Sequence, residues 1–444
     1  MLSYILNATM VTPLLPEIGR RLGAAGEDIS LISSLFFLSG SVAGIVLSRW
    51  SDFIGRRRMI LGALTVTAIG TVICILAPTL PVLLFGRVLQ GTSSAAFQLA
   101  YIILNEALST AQFGVAVGVI TAVNGGLGGV DGYLGGLIAR RYGYQAVFGC
   151  ILAVGLVAIY WLRRTLVMPP PPRTEASMDW RGSAALSAGL IALMSAVSQG
   201  SSAGWLSRAT LLLFAAALLM FLLFWRIEER QRFPLIEVRH FRSRRIWPIL
   251  ATTILTLAGV FAVINFTIIL LSQDGAVGFG LAPSQSALLF LSPPALIGVI
   301  SAPLSGWIAS RWGWVRTMRT GLACCLATLI VIALWPLRQW TVFAAIAALG
   351  IFYNGLALTT INALGVFLSP KEAPAALPGL NGAAFGIGAS LGIAIVAPFA
   401  VRGTPAGYGV ALWISVGITV LALAASLFVA HPDPKRAADA DQSP

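Results

Sequence analysis

Long apolar runs, broken by short clusters of arginine, proline and glycine, tile this chain almost from end to end. Crossing a hydrocarbon layer about 30 Å thick takes about twenty residues at 1.5 Å each. On that ruler the pattern predicts spans near 1–18, 29–48, 59–78, 82–105, 114–139 and 145–162. A proline-bearing hinge follows at 163–181, containing Pro169 to Pro172. Two further spans are expected near 182–199 and 209–225, then a charged loop at 226–245. The last six are expected near 246–271, 285–309, 318–336, 341–367, 375–400 and 410–430. The predicted fold class is an all-α polytopic membrane protein of about fourteen transmembrane helices. Twelve or thirteen would result if 182–225 did not span.

A faint internal repeat divides these runs. Ser48-Arg-Trp-Ser-Asp52-Phe-Ile-Gly55-Arg56-Arg57-Arg58 follows the second span, and Gly306-Trp-Ile-Ala-Ser310-Arg311-Trp-Gly313-Trp-Val-Arg316 follows the tenth. A small residue, a polar one, a glycine and an arginine recur at matching offsets, which is the mark of a duplicated carrier. The expected organisation is an N-terminal six-helix half at 1–162, a linker at 163–181 and an inserted helix pair at 182–225. A loop at 226–245, a C-terminal six-helix half at 246–430 and a disordered cytoplasmic tail at 431–444 complete it.

Composition sharpens the membrane reading. Hydrophobic residues make up 57% and charged residues only 10%, where a soluble protein carries roughly a quarter charged. The net charge of +13 does not indicate nucleic acid, because the arginines sit in short loops rather than on a basic face. About 21 of the 29 Lys and Arg fall in alternate loops, against about seven in the others, which predicts both termini in the cytoplasm. The expected location is the inner (cytoplasmic) membrane, and the expected state a monomer. Cys74, Cys150, Cys324 and Cys325 lie inside apolar runs without metal-type spacing, and His240 and His431 lie in loop or tail, so no metal, cofactor or histidine-based catalysis is expected. The first residues lack the marks of a cleavable signal peptide. They resemble a span that starts abruptly, so a longer reading frame with a basic anchor upstream of Met1 is expected.

Few polar positions stand out against this background. Asp52, Gly55, Arg56 and Arg57 could form a charge-paired latch in a tight turn, or anchor the loop to the cytoplasmic face. Arg87 lies inside the fourth span, where an ionisable group faces the interior unless it snorkels outward. Gln90, three residues on, shares its face and could satisfy the guanidinium. The fifth span carries Gly125, Gly126, Gly128, Gly129, Gly132, Gly135 and Gly136, and the 128/132/136 spacing lets another helix approach closely. Asp131 lies in the outer half of that span, where a carboxylate loses hydration and its charged form is penalised. Three readings stay open: a proton-responsive acid, a fixed ion pair with Arg87, or a water-exposed carboxylate. Asn7, Asn124, Asn265, Tyr353, Asn354 and Asn362, with Gln90, are candidates to line a substrate cavity or to pack helices.

Several of these stretches, in order, resemble the major facilitator superfamily, and within it the fourteen-helix drug:proton antiporter branch of EmrB/QacA type. They are Asp52-Phe-Ile-Gly55-Arg56-Arg57 between the second and third helices, Arg87-Val-Leu-Gln90-Gly91 in the fourth and Gly135-Gly136 in the fifth. Met178-Asp179-Trp180-Arg181-Gly182 leads into the inserted pair, and Ser369-Pro370 with Asn381-Gly382 through Gly388-Ala-Ser-Leu-Gly392 resembles the thirteenth-helix region. The resemblance implies a latch at 52–57 that stabilises one face of the carrier, and proton transfer involving Arg87. The chain departs from the pattern at Ser48 and Phe53, at Asn7 where drug antiporters commonly carry aspartate, and at Asp131-Gly132 where the branch has Gly-Pro.

The leading expectation is therefore a secondary carrier working by alternating access, proton-coupled, exporting small amphipathic organic compounds. The alternative is proton-coupled uptake or exchange of a small polar metabolite, which the altered fifth-helix motif favours. A membrane enzyme or sensor finds no support, because H-E-x-x-H, a nucleophile elbow and a phosphate loop are all missing from the sequence. The expected partners are a small-molecule substrate, protons and the lipid bilayer, with no nucleic acid.

Overall fold

The computed structural model describes residues 2–24, 28–107, 130–166, 178–231, 246–368 and 376–431. All the elements within them are helical. We number the helices α1 to α14. The first is broken, running through Leu2–Ile5, a π-helical turn Leu6–Met10, a 3₁₀ turn Thr12–Leu14 and Leu15–Arg21. Asp28–Ile54 is α2, Arg56–Leu76 α3, and Leu80–Gln90 with Ser93–Ala107 make α4. Residues 130–142 belong to α5. Then come α6 (Tyr144–Thr165), α7 (Trp180–Ala203), α8 (Arg208–Arg230), α9 (Trp247–Gln273) and α10 (Pro283–Trp312). The last four are α11 (Trp314–Leu334), α12 (Gln339–Leu349 continuing to Thr359–Phe367), α13 (Ala376–Ala400) and α14 (Pro405–Ser426).

Among the described residues, eleven helices are long and apolar enough to cross a membrane. The three expected spans outside that set are α1, α4 and α5. Helix α1 is interrupted because Pro13 and Pro16 lack the N–H that would continue the ladder. Helix α4 pauses at Gly91 and Thr92, where the Thr92 hydroxyl donates to the Leu89 carbonyl at 2.7 Å. Residues 108–129, including most of the expected fifth span, lie outside the described residues. Elsewhere the edges differ by up to about a turn and a half, mostly outward, while α3, α11 and α14 end two to four residues early. Helix α2 runs on to Ile54, past the expected 48, because Arg49, Ser51 and Asp52 continue the helix beyond its apolar part. Helix α14 begins at Pro405 instead of 410, capped by the Thr404 hydroxyl accepting from the Gly407 N–H.

The repeat seen in sequence has a structural counterpart. Gly55 and Gly313 both turn the chain between two long helices, at φ 95° and 102°, a region open to glycine and strained for other residues. The offset that separates them also separates Asn7 from Asn265, and both asparagines sit in π-helical turns, Leu6–Met10 and Val263–Thr267. Helices α4 and α12 likewise each run eleven residues before a glycine, Gly91 and Gly350, changes their course.

Burial sorts the helices. In α9, 83% of the spanning window is inside the protein, against 17% in α8. So α9 forms part of the centre and α8 faces lipid. The hairpin of α7 and α8 packs on itself and leans α7 against α2 and α13. Helices α2 and α13 pack along one another, with the Gly386 site so close to α2 that an added Cβ would lie 2.9 Å from the Phe37 carbonyl. At the end opposite the Gly55 turn, α5 meets α10. A Cβ on Gly136 would lie 2.5 Å from the Ser284 backbone nitrogen. There too the Gln273 amide at the end of α9 donates to the Pro13 carbonyl at 2.9 Å. The expected 128/132/136 stripe is thus seen in part. Gly132 and Gly136 face α10, Gly135 faces Met10 of α1, and Gly128 lies outside the described residues.

Candidate functional site

The irregular turn of α1 creates the site. In a regular helix the Val11 N–H would close on the Asn7 carbonyl, but here it points to the Thr9 carbonyl. The Asn7 carbonyl instead accepts from both terminal nitrogens of Arg87, each at 3.1 Å. Arg87 Nε donates to the Ile32 carbonyl of α2 at 2.8 Å, and Nη1 also donates to Gln90 Oε1 at 2.7 Å. The guanidinium lies 4.5 Å over the Phe36 ring. Arg87 is thus held inside the protein by neutral acceptors from three helices, which rules out snorkelling in this conformation. Gln90 serves the guanidinium as its spacing suggested, and its own amide donates to Thr71 Oγ1 of α3 at 3.0 Å.

Asp131 is also buried but does not touch Arg87. Of the three readings left open, the fixed ion pair is not formed, because each group is engaged separately on α1. Asp131 Oδ2 lies 2.5 Å from Thr9 Oγ1, and Oδ1 accepts from the Gly132 N–H at 2.7 Å. The same Thr9 hydroxyl lies 2.9 Å from the Ile5 carbonyl. One turn of α1 therefore carries the anchor of the buried cation, at Asn7, and the partner of the buried acid, at Thr9. Sequence reasoning did not single out Thr9, because a threonine in a membrane helix ordinarily bonds the carbonyl four residues back, as this one also does.

The cavity candidates separate. Asn7 Nδ2 donates to the Ser3 carbonyl at 2.8 Å, while its buried Oδ1 has no partner among the described residues. Asn265 donates within its own helix, to the Phe261 carbonyl at 3.3 Å. Asn354 donates to the Pro294 carbonyl at 2.9 Å and packs on Gly298, so it ties α12 to α10. Asn362 accepts from Asn381, which in turn accepts from Thr253 Oγ1 at 2.6 Å, linking α12, α13 and α9. The Tyr353 hydroxyl is buried without a partner among the described residues. Asn124 lies outside them.

At the Gly55 turn, Asp52 pairs with Arg49 at 2.9 Å and with Arg56. Arg57 takes a different partner, donating to the Arg163 carbonyl at the end of α6 at 2.8 Å. The latch residues therefore pin α2, α3 and α6 at one end of the helix bundle. A shallow groove between α11 and α12, lined by Ala327, Thr328, Val331, Trp340 and Ala344, is almost wholly apolar and has no charged residue to recognise a polar solute.

Residues 1–393 match the family described as the Major Facilitator Superfamily. The chain is 32% identical to a uridine/deoxyuridine transporter of Lactococcus lactis, over 98% of this chain and 92% of that one. It is 26% identical to the multidrug resistance protein Stp of Mycobacterium tuberculosis and to a tetracenomycin C resistance and export protein of Streptomyces glaucescens. Each of those alignments covers 88% of this chain and 72% of the other. Among solved structures, the human organic anion transporter MFSD10 superposes with a TM-score of 0.62 at 16% identity, and the POT family transporter PepTSo with 0.64 at 16%. Each superposition covers 96% of both chains, and at that identity the likeness concerns the fold alone. With a buried intramembrane arginine, paired glycine turns and a family match over most of its length, the chain is a multi-pass membrane transporter of the Major Facilitator Superfamily.

Proposed function

We propose that this carrier takes up a small polar metabolite of the nucleoside type, coupled to protons. The similarity to a uridine/deoxyuridine transporter over nearly the full length of both chains supports this reading best. It favours uptake over drug export, which was the leading expectation from sequence. Asn7 in place of an acid and Asp131 in place of the motif's glycine fit that shift. Export of amphipathic compounds remains the second reading, carried by the more distant resistance proteins.

In this reading two six-helix halves, α1–α6 and α9–α14, rock about a central site, with α7 and α8 as an inserted pair, giving fourteen spans. The arginine distribution supports cytoplasmic termini, in a protein of the inner membrane. Asp131 is the proton-responsive acid, and Arg87 with Asn7 and Gln90 forms the polar centre that binding and rocking act upon. The residues at 52–57 stabilise one face. Purified protein in liposomes, offered labelled uridine with and without an acidic exterior, tests the proposal. Uridine uptake that rises with the gradient supports it. Uptake of no nucleoside, with extrusion of a cationic dye under the same gradient, would make export the better reading.

A further inference from the structure

Helix α9 is closed almost everywhere along its outer half. From Thr256 to Ser272 every residue is buried except Phe261 and Asn265, which are half-buried. They stand four residues apart, so they share one face of the helix. That face is turned inward and not to lipid. The Phe261 ring lies edge-on to Phe37 of α2 at 5.4 Å and to Phe385 of α13 at 5.9 Å. Phe37 in turn lies edge-on to Phe36 at 5.2 Å, and Phe36 carries the Arg87 guanidinium over its ring. An aromatic row thus runs from the buried arginine of the first half to the open face of α9 in the second. Asn265 stands one turn further along that face.

The Asn265 side chain is only half engaged. Nδ2 donates to the Phe261 carbonyl at 3.3 Å, and Oδ1 accepts nothing among the described residues. That single bond also fixes the direction of the amide, because the reversed amide would set Oδ1 against the carbonyl oxygen. A free acceptor and a spare donor therefore stand side by side, next to aromatic rings. The repeat mate, Asn7, is placed differently. It is wholly buried, and its backbone carbonyl is claimed by Arg87 of α4. Helix α12, the counterpart of α4, carries no charged residue from Gln339 to Phe367, and α13 carries none from Ala376 to Ala400. Neither helix offers a countercharge to an ionised solute at Asn265. The setting fits a neutral ring whose edge offers a donor next to an acceptor and whose faces can stack.

We infer that Asn265 reads the base of the transported nucleoside, with Phe261 as the aromatic wall beside it. The inference rests on the proposed nucleoside uptake and names the atoms that perform the recognition. Uracil presents N3–H as a donor between two acceptors, O2 and O4. Asn265 Oδ1 accepts from N3–H, and Nδ2 gives its spare proton to O4, a two-bond pairing of the kind amides make with base edges. The two halves then divide the labour. The first holds the buried ionisable groups Arg87 and Asp131, and the second recognises the neutral solute.

The test follows labelled-uridine uptake into liposomes of the full chain, with unlabelled uridine and 3-methyluridine as competitors. Methylation at N3 removes the donor that Asn265 accepts from and leaves the ring faces and the sugar as they are. Wild type should need at least about tenfold more 3-methyluridine than uridine for half-inhibition, the discrimination expected of one paired edge. Asn265→Ala should raise the KM for uridine about tenfold and bring the two competitors level. Phe261→Leu should weaken both competitors together and keep their ratio. Wild type that takes the two competitors equally overturns the inference without any variant. So does Asn265→Ala protein that keeps the full discrimination. A loss of maximal rate alone, with KM and the ratio unmoved, makes Asn265 a packing residue and overturns it too. Wild type that takes up no nucleoside ends the nucleoside reading itself, whereas uridine uptake without discrimination at N3 ends only the role of Asn265. The same ratio, measured as binding to purified protein, decides for a variant that folds but does not transport.

Discussion

Arg87 shows how a charge can be kept inside a membrane protein with no opposite charge beside it among the described residues. Four hydrogen bonds to neutral oxygens and the face of Phe36 replace its hydration. A planar fork is needed to reach the Ile32 carbonyl, the Asn7 carbonyl and Gln90 at once, and a lysine ammonium cannot span them. Each bond to a charged donor contributes about 1.5–3 kcal/mol. Arg87→Lys should therefore lower uptake at least about tenfold while the protein still elutes as a folded species in detergent. Asp52 is expected to behave in the opposite way. Asp52 is about one-third exposed, and its partners Arg49 and Arg56 are 35% and 20% exposed; such surface pairs are worth less than about 1 kcal/mol. Asp52→Asn should barely move the thermal unfolding midpoint, so a large fall in uptake by that variant would indicate a role in rocking and not in stability. The presence and company of Arg87 and Gln90 were legible in sequence from spacing alone. The place of Asn354 was not, because an asparagine that ties two helices and one that faces a cavity leave the same mark in a single chain. Thr9 was hidden for a similar reason, since its importance depends on an acid more than a hundred residues away.

At the scale of helices, regular apolar runs were read from the sequence with edges off by about a turn. The errors cluster where a polar continuation such as Arg49-Trp-Ser-Asp52 stays helical outside the apolar layer. The breaks in α1 and α4 were not legible as such. Prolines marked α1 for irregularity, but the π-helical turn at Leu6–Met10, whose Asn7 carbonyl receives the guanidinium, left no mark of its own in the sequence. The close approach of α5 to α10 offers a direct test of whether this contact must form and release during transport. A side chain at Gly136 would meet the Ser284 backbone at 2.5 Å, and overpacking of this kind costs about 1–3 kcal/mol. Gly136→Val should reduce uptake about tenfold or more. Gly149→Ala on α6, where an added Cβ meets nothing within 4 Å, should leave uptake unchanged. Equal losses in both variants would mean that α5 and α10 do not need their close contact.

For the whole molecule, the expected duplication rested on a single pair of turns, and Gly55 and Gly313 give those two turns a shared backbone geometry. Orientation rests on charge. Reporters fused at 170, 236 and the C-terminus should read cytoplasm, and one at 204 should read the outside. A cytoplasmic reading at 204 would remove α7 and α8 from the membrane and leave a twelve-helix carrier. The substrate was the least legible feature, because the turns, the buried arginine and the glycines of the fifth span say nothing of which solute is carried. The central claim joins substrate and driving force, so it is tested best by labelled uridine in liposomes of the purified protein with an imposed pH difference. Accumulation above the external concentration, abolished by a protonophore and absent in Asp131→Asn, is the predicted result. Uridine that only equilibrates, indifferent to the pH difference and to Asp131→Asn, would contradict the account.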